Sequence, residues 1–327
     1  MLSVFPWIGS IAFIITTMLA TTTIASTFPV TIKDAAGIEH HFTSPPKIGC
    51  EWSGCVEVLA DIGIKPYAVA NALQEELRST FYYPLGKPKY NIEDSKNPED
   101  WAAADVDVIL TRLPSSRTSL SLNAAAPVFH LHHPGFSKSN QTGYHAFIEN
   151  IKLVGLLTGE SEKALAALQR FKGMIANLKA KGTDETGRLT VAVIGSNNRF
   201  NPLGPESPFC SLIHELNLGL CLGEGGEKQQ LNAEMFLKWN PDWIVYGAGN
   251  RYQDRNTPIW KRLGAVRKGQ IYNAQGNRYY CCSTRGLIHA MQEYTHKVID
   301  KNVPAPGNVL EFVVENSPLI DSPLNKS

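Results

Sequence analysis

The sequence predicts an α/β protein of two Rossmann-like lobes with central sheets, joined by a long interdomain helix. Three observations carry this. One phrase recurs, once in each half. The first copy is Asn97-Pro98-Glu99-Asp100-Trp101, leading through Asp107 into Val108-Ile109-Leu110. The second is Leu231-Asn232-Ala233-Glu234-Met235, leading through Asp242 into Trp243-Ile244-Val245-Tyr246. In both, a Glu opens a short helix that ends before an Asp and an apolar run of the kind buried parallel strands carry. Strand and helix signals alternate on either side of a single long amphipathic segment. Finally, 327 residues with 43% hydrophobic content suffice for two cores.

Each element follows from its local pattern. Phe28 to Phe42 alternates around a turn at Asp34 to Gly37 and reads as a β-hairpin closed by Pro45-Pro46. Strands are expected at Lys47 to Gly49, Tyr67 to Ala70, Val106 to Leu110 and Pro127 to Leu131, with a helix from Ser53 to Asp61 stopped by Gly63. Phe147, Ile151 and Val154 recur at helical spacing until Gly159, and Leu165, Leu168, Phe171, Ile175 and Leu178 mark a second helix from Glu160 to Ala180. At about 1.5 Å per residue that helix spans roughly 30 Å, enough to bridge two lobes. The second lobe opens with the strand Leu189 to Ile194. It continues with the strand Ile244 to Tyr246, the helix Pro258 to Leu263, the strand Gln270 to Tyr272 and a final helix Arg285 to Ile299. The expected organisation is therefore a signal segment (1–25), an N-terminal lobe (26–158), the interdomain helix (159–182), a C-terminal lobe (183–302) and an extended, Pro-rich tail (303–327).

Composition narrows the function. The apolar stretch Val4 to Ala20, followed by Thr23-Ile24-Ala25, reads as an export signal cleaved near Ala25, giving a periplasmic product in a diderm cell. The absence of Lys or Arg before Trp7 leaves a retained anchor as the alternative. A formal charge of +1 argues against nucleic acid or an anionic surface as partner. Six cysteines in an exported chain point to disulfides. Cys50 and Cys55 bracket four residues, Cys210 and Cys221 bracket a helix and turn, and Cys281 and Cys282 are adjacent; six cysteines allow fifteen pairings, so spacing does not decide. Hydrolase elbow, phosphate-binding loop, zincin and Cys-x-x-Cys motifs are absent, so an enzyme is not expected, and no cofactor is implied. The best enzyme alternative is a thiol oxidoreductase built on Cys281-Cys282.

The opening hairpin with Asp34-Ala35-Ala36-Gly37, the stretch Asn150 to Gly159, the phrase Leu231 to Tyr246 and the run Trp260 to Tyr272 together carry a family resemblance. Their order and spacing resemble the helical-backbone (class III) periplasmic substrate-binding proteins of ABC importers for iron–siderophore complexes, haem and vitamin B12. The resemblance covers Phe28 to Ile299. It implies a monomer that binds a metal chelate between its lobes, most simply a ferric siderophore, with a corrinoid or haem as the alternative. It further implies a rigid interdomain helix and delivery to a permease dimer in the inner membrane through one Glu per lobe, here Glu99 and Glu234. Read without the resemblance, the same two residues are acidic groups offsetting helix macrodipoles.

Ligands of open α/β sheets lie at the carboxyl ends of strands. Applied to the first lobe, that rule selects Glu51, Trp52, Ser53, Arg112 and His133, with Tyr82 and Tyr83 at the rim. In the second it selects Asn198, Arg199, Arg251, Tyr252, Tyr279, Tyr280 and Arg285. Aromatic rings and guanidinium forks suit a bulky, partly aromatic, anionic chelate. His130, His132 and His133 invite a bare-metal reading, with His132 and His133 as the possible ligands, but a bare ion wants three or four converging donors.

Overall fold

A computed structural model describes residues 28–70, 88–113, 121–133, 143–194, 203–204, 206–223, 233–246, 258–273, 283–302 and 305. The expected signal segment and nearly all of the tail lie outside them. The chain enters through an antiparallel hairpin, β1 (Val30–Lys33) and β2 (Glu39–Phe42). One buried carboxylate ties the hairpin down. Asp34 accepts hydrogen bonds from the backbone N–H of Ala36 and Ile38, from the His130 backbone N–H at 3.0 Å and from His130 Nδ1 at 2.8 Å, with His40 Nε2 at 3.2 Å. Burial alone would push this carboxyl up. The hydrogen bonds from the His130 ring, His40 and the backbone outweigh it and hold the group well below the usual carboxylate range. The resulting stabilisation is complete above the unfolded-state value, near pH 4, and is lost as pH falls through the lower folded-state value.

The first lobe is a parallel sheet with helices. Its elements are β3 (Ile48–Cys50), α1 (Ser53–Asp61), β4 (Ala68–Ala70), β5 (Tyr90–Ile92), α2 (Pro98–Ala103), β6 (Val108–Leu113) and β7 (Val128–His132). The strand order is β5-β4-β3-β6-β7, every neighbour parallel. Two long helices follow, α3 (His145–Thr158) and α4 (Ser161–Lys179), joined through Gly159 in the left-handed conformation (φ 74°). The second lobe comprises β8 (Thr190–Ile194), α5 (Pro208–Glu215), β9 (Leu220–Cys221), α6 (Ala233–Trp239) and β10 (Trp243–Tyr246). After it come α7 (Pro258–Arg262), α8 (Gly264–Arg267), β11 (Ile271–Asn273) and α9 (Thr284–Tyr294), which ends in a π-helical turn, Thr295–Ile299. Its sheet runs β11-β10-β8-β9, again all parallel.

Both long helices belong to both cores. Ala164, Ala167 and Leu168 of α4 pack with the first sheet, while Phe171 and Leu178 pack with the second. The preceding α3 divides the same way: Ile151, Val154 and Leu157 join the first core, and Phe147, with the adjoining Tyr144, joins the second. Sequence spacing assigned this helix to the first lobe alone, because periodicity reports a buried face without naming what covers it. Gly155 is what lets the two helices touch, since a Cβ there would lie 2.5 Å from the Cβ of Ala164. Burying one phenyl ring such as Phe171 against this pair is worth roughly 1.5–3 kcal/mol.

The twin phrase is a twin structure. Trp101 and Phe236 are the buried anchors of α2 and α6; Asp105 (φ 51°) and Asn240 (φ 41°) turn the chain out of each helix in the left-handed region. Asp107 and Asp242 then accept from the backbone N–H opening the neighbouring central strand, Lys47 at 2.6 Å and Thr190 at 2.9 Å. Each of these pairs is separated by the same number of residues. Glu99 and Glu234 share that spacing and are both exposed in the first turn of their helices.

Candidate functional site

In the first sheet the chain builds outward from β3 in one direction through β4 and β5, then restarts on the other side with β6. The strand order therefore reverses between β3 and β6, and a crevice opens beyond their carboxyl ends. Glu51 and Thr111 stand there. The Thr111 hydroxyl donates to Glu51 Oε2 at 2.8 Å, while the Glu51 backbone N–H donates to the Leu110 carbonyl at 3.1 Å. Trp52 follows as the N-cap residue of α1, and its indole stacks on the His133 imidazole, centroids 5.3 Å apart and planes inclined by 29°. Ser53 opens the helix, half-buried, and Arg112 projects as an exposed side chain near the end of β6. Glu51, Trp52, Ser53, Arg112 and His133 are thus brought to one end of one sheet.

Two features hold this floor in place. A disulfide between Cys50 and Cys55, Cα atoms 5.6 Å apart, ties the last residue of β3 to the first turn of α1 and closes the short loop bearing Glu51 and Trp52. Both cysteines are fully buried and bonded to each other, so neither has a thiolate to offer a metal centre. The second feature is Asn150 of α3, buried, whose side chain accepts from the His132 N–H and donates to the His132 carbonyl, both at 2.8 Å. Sequence reasoning passed over Asn150 and Thr111. The available signal was a polar residue on the otherwise apolar face of Phe147, Ile151 and Val154, since a buried amide is kept only where it is hydrogen-bonded. A second disulfide, Cys210–Cys221, staples α5 to β9 in the other lobe.

The electrostatics favour neutral imidazoles. Burial first, and the neighbouring Arg112 cation second, lower the His133 pKa to about 3. His132 is also lowered, by burial, against the opposing pull of Glu149 and Asp34. His130, at the previous same-face position of β7, is committed to Asp34. Among the described residues no group of three or more His, Cys, Asp and Glu side chains converges to hold a bare ion. The His133 imidazole is expected to show no titration step between about pH 5 and 8 when its ring proton shift is followed by NMR; a midpoint near 6.5 would show the ring to be solvated. Because the unfolded chain binds a proton at His133 that the folded state refuses, this residue lowers stability as pH falls below about 6.5.

Arg285 departs from expectation. It lies in the first turn of α9, 5% exposed, and its Nε donates to Asp61 Oδ1 at 2.9 Å. Asp61 is the last residue of α1, eight positions beyond Ser53 and so about 12 Å down the helix from the crevice. The strand-end rule selected Arg285 because it follows the last strand, but the helical turn aims its side chain at α1. Tyr82, Tyr83, Asn198, Arg199, Arg251, Tyr252, Tyr279, Tyr280, Cys281 and Cys282 lie outside the described residues. The second sheet has its own reversal, between β8 and β10, and Asn198 and Arg199 follow β8 in sequence as Arg251 and Tyr252 follow β10.

Comparison with known proteins agrees with this architecture. The structure of the triscatecholate siderophore binding protein FeuA from Bacillus subtilis, complexed with ferri-bacillibactin, superimposes with a TM-score of 0.64 at 17% identity, covering 82% of this chain and 97% of that one. The periplasmic catecholate-siderophore binding protein VctP from Vibrio cholerae gives 0.61 at 14% identity, covering 83% and 99%. In sequence, the Fe(3+)-citrate-binding protein YfmC of Bacillus subtilis (strain 168) is 23% identical over 141 residues, 42% of this chain and 45% of the relative, so the match spans less than half of that protein. Among the described residues no helix is long and apolar enough to cross a membrane. The family model described as periplasmic binding protein matches residues 56–277, from α1 of the first lobe to the end of the second sheet, and the chain belongs to that family.

Proposed function

We propose that this is an exported, monomeric substrate-binding protein that captures a ferric siderophore between its lobes and delivers it to an ABC permease dimer. The observation that carries the reading is the crevice at the strand-order reversal of the first sheet. There an indole–imidazole pair, a hydrogen-bonded carboxylate and an exposed guanidinium present aromatic area and polar contacts at one place. Arg112 offers forked donors to anionic chelate oxygens and Glu51 accepts from ligand hydroxyls, while the buried, mutually stacked Trp52 and His133 form the apolar wall behind them. Tyr82, Tyr83, Asn198, Arg199, Arg251, Tyr252, Tyr279 and Tyr280, which the sequence places at the ends of strands or beside them, are assigned to the same ligand. The relatives named above are described as binding a triscatecholate siderophore (with ferri-bacillibactin bound), a catecholate siderophore and Fe(3+)-citrate, which supports a ferric chelate as the ligand.

Glu99 and Glu234 serve as the two docking carboxylates, one per lobe, supported by their equivalent exposed positions in the repeated unit. The test of ligand class is a tryptophan-fluorescence and thermal-shift screen of the mature protein against ferric siderophores, haem, corrinoids and free metal ions. A saturable response to a ferric siderophore is the expected result. A response confined to haem or a corrinoid would move the ligand within the family, and one confined to bare ions would overturn the chelate reading. Thiols found free and reactive in the native protein would reopen the oxidoreductase alternative at Cys281-Cys282.

A further inference from the structure

A pocket of about 350 Å³ opens on the seam between the lobes, away from the strand-end crevice. Its walls come from three elements: the end of α1 at Asp61, the first turn of α9 at Thr284 and Arg285, and α4. The α4 wall is a stripe at helical spacing, Ala167, Arg170 and Met174, with Gly173 beside it. The volume lies at the lower end of the range for small-molecule sites, roughly 300–1,000 Å³.

Two features of this pocket are not explained by packing. Gly173 stands inside a 19-residue helix, where glycine costs roughly 0.5–1 kcal/mol relative to alanine, yet a Cβ built on it meets nothing within 4 Å. The glycine therefore serves neither a tight turn nor a close helix contact in this structure; what it does is leave the pocket floor clear. The second feature is charge. Asp61 is saturated by Ser283 Oγ at 2.9 Å, Thr284 N–H and Oγ1 both at 2.7 Å, and Arg285 Nε at 2.9 Å. Arg170 makes no hydrogen bond or ion pair to any described residue. Arg170 thus stands in the pocket wall beside a carboxylate already committed to four other donors. Desolvation, reinforced by Arg285 and opposed by Asp61, lowers the Arg170 pKa, which places all three groups in one electrostatic neighbourhood.

We propose that the seam pocket is a second ligand site, for a small organic carboxylate whose head pairs with Arg170 and whose apolar body lies over Gly173, Met174 and Ala167. Because its walls belong to both lobes and to the helix that joins them, an occupant braces the seam. Benzoate is a suitable probe, used with the full mature protein in a thermal-shift titration and by NMR. A saturable rise in melting temperature is expected, roughly 3 °C at ten times Kd. Arg170→Gln should weaken benzoate about ten-fold. Gly173→Leu should abolish the response by filling the floor, although it leaves every charge in place. Both substitutions fall on exposed positions of α4, and leucine is the better helix former, so both variants are expected to fold. Wild-type protein that shows no saturable response up to about 10 mM benzoate would overturn the proposal. So would a response left unchanged by either substitution.

Discussion

Asp61→Ala is expected to destabilise the protein by about 3–5 kcal/mol, the range for removing one partner of a buried ion pair. The Asp61 side chain is 1% exposed and accepts four hydrogen bonds from three successive residues of the other lobe, Ser283, Thr284 and Arg285. Removing it takes away the Nε partner of the Arg285 guanidinium, whose side chain is 6% exposed, and the acceptor of the Thr284 N–H that opens α9. Thermal melting should register a fall on the order of 10 °C. The companion variant separates mechanisms: Asp61→Ala with Arg285→Met removes the buried guanidinium together with its Asp61 partner and should recover part of the loss. A single-variant loss under about 1 kcal/mol would mean that water reaches the pair and that the lobes are held by packing on α3 and α4 alone.

Glu99→Ala combined with Glu234→Ala should abolish uptake of the ferric chelate by the reconstituted transporter, by at least about ten-fold, while leaving its Kd within about two-fold of wild type. Both carboxylates are exposed, so neither supports the fold beyond a macrodipole contribution of about 0.3–1 kcal/mol. Both also stand at the same place in a repeated unit whose buried ring, left-handed turn and strand-opening aspartate all recur at one spacing. Charge pairs at the rim of an interface act on partner recognition, and two of them at equivalent places on two lobes would report lobe spacing to a dimeric partner. Each single variant should show an intermediate defect. Loss of chelate affinity in the double variant would instead assign these residues to the cleft and end the docking reading.

Much of this molecule was legible from residue patterns because its elements are strongly periodic. The helix Ser53–Asp61 was read to the residue, and the long helix was read to within one residue at each end. Short elements escaped. Tyr90–Ile92 and Leu220–Cys221 are part-exposed edge strands of three and two residues, without the buried apolar run that marks the equally short Ile48–Cys50 and Ala68–Ala70, and they exist because a neighbouring strand offers its edge. On the crevice side, the rule about strand ends selected Glu51, Trp52, Ser53, Arg112 and His133, which the fold brings to one end of the first sheet, because the rule depends only on the order of strands. It could not supply Thr111 or Asn150, whose roles rest on hydrogen bonds to residues distant in the chain.

What the sequence by itself determined is the repeating strand–helix order, the two lobes, the bridging helix and the twin acidic positions. All of these follow from local hydrophobic period and from capping and turn residues, which act over a few positions. What only the tertiary structure decided is pairing. Among the described residues it joined Cys50 to Cys55 and Cys210 to Cys221, gave His130 to Asp34, turned Arg285 away from the crevice onto Asp61, and split α3 between two cores. Each of these joins groups remote in sequence, and no local pattern encodes which buried charge or thiol will meet which. That outcome is set by the energy of satisfying every buried polar group at once, and it is decided only when the lobes are packed.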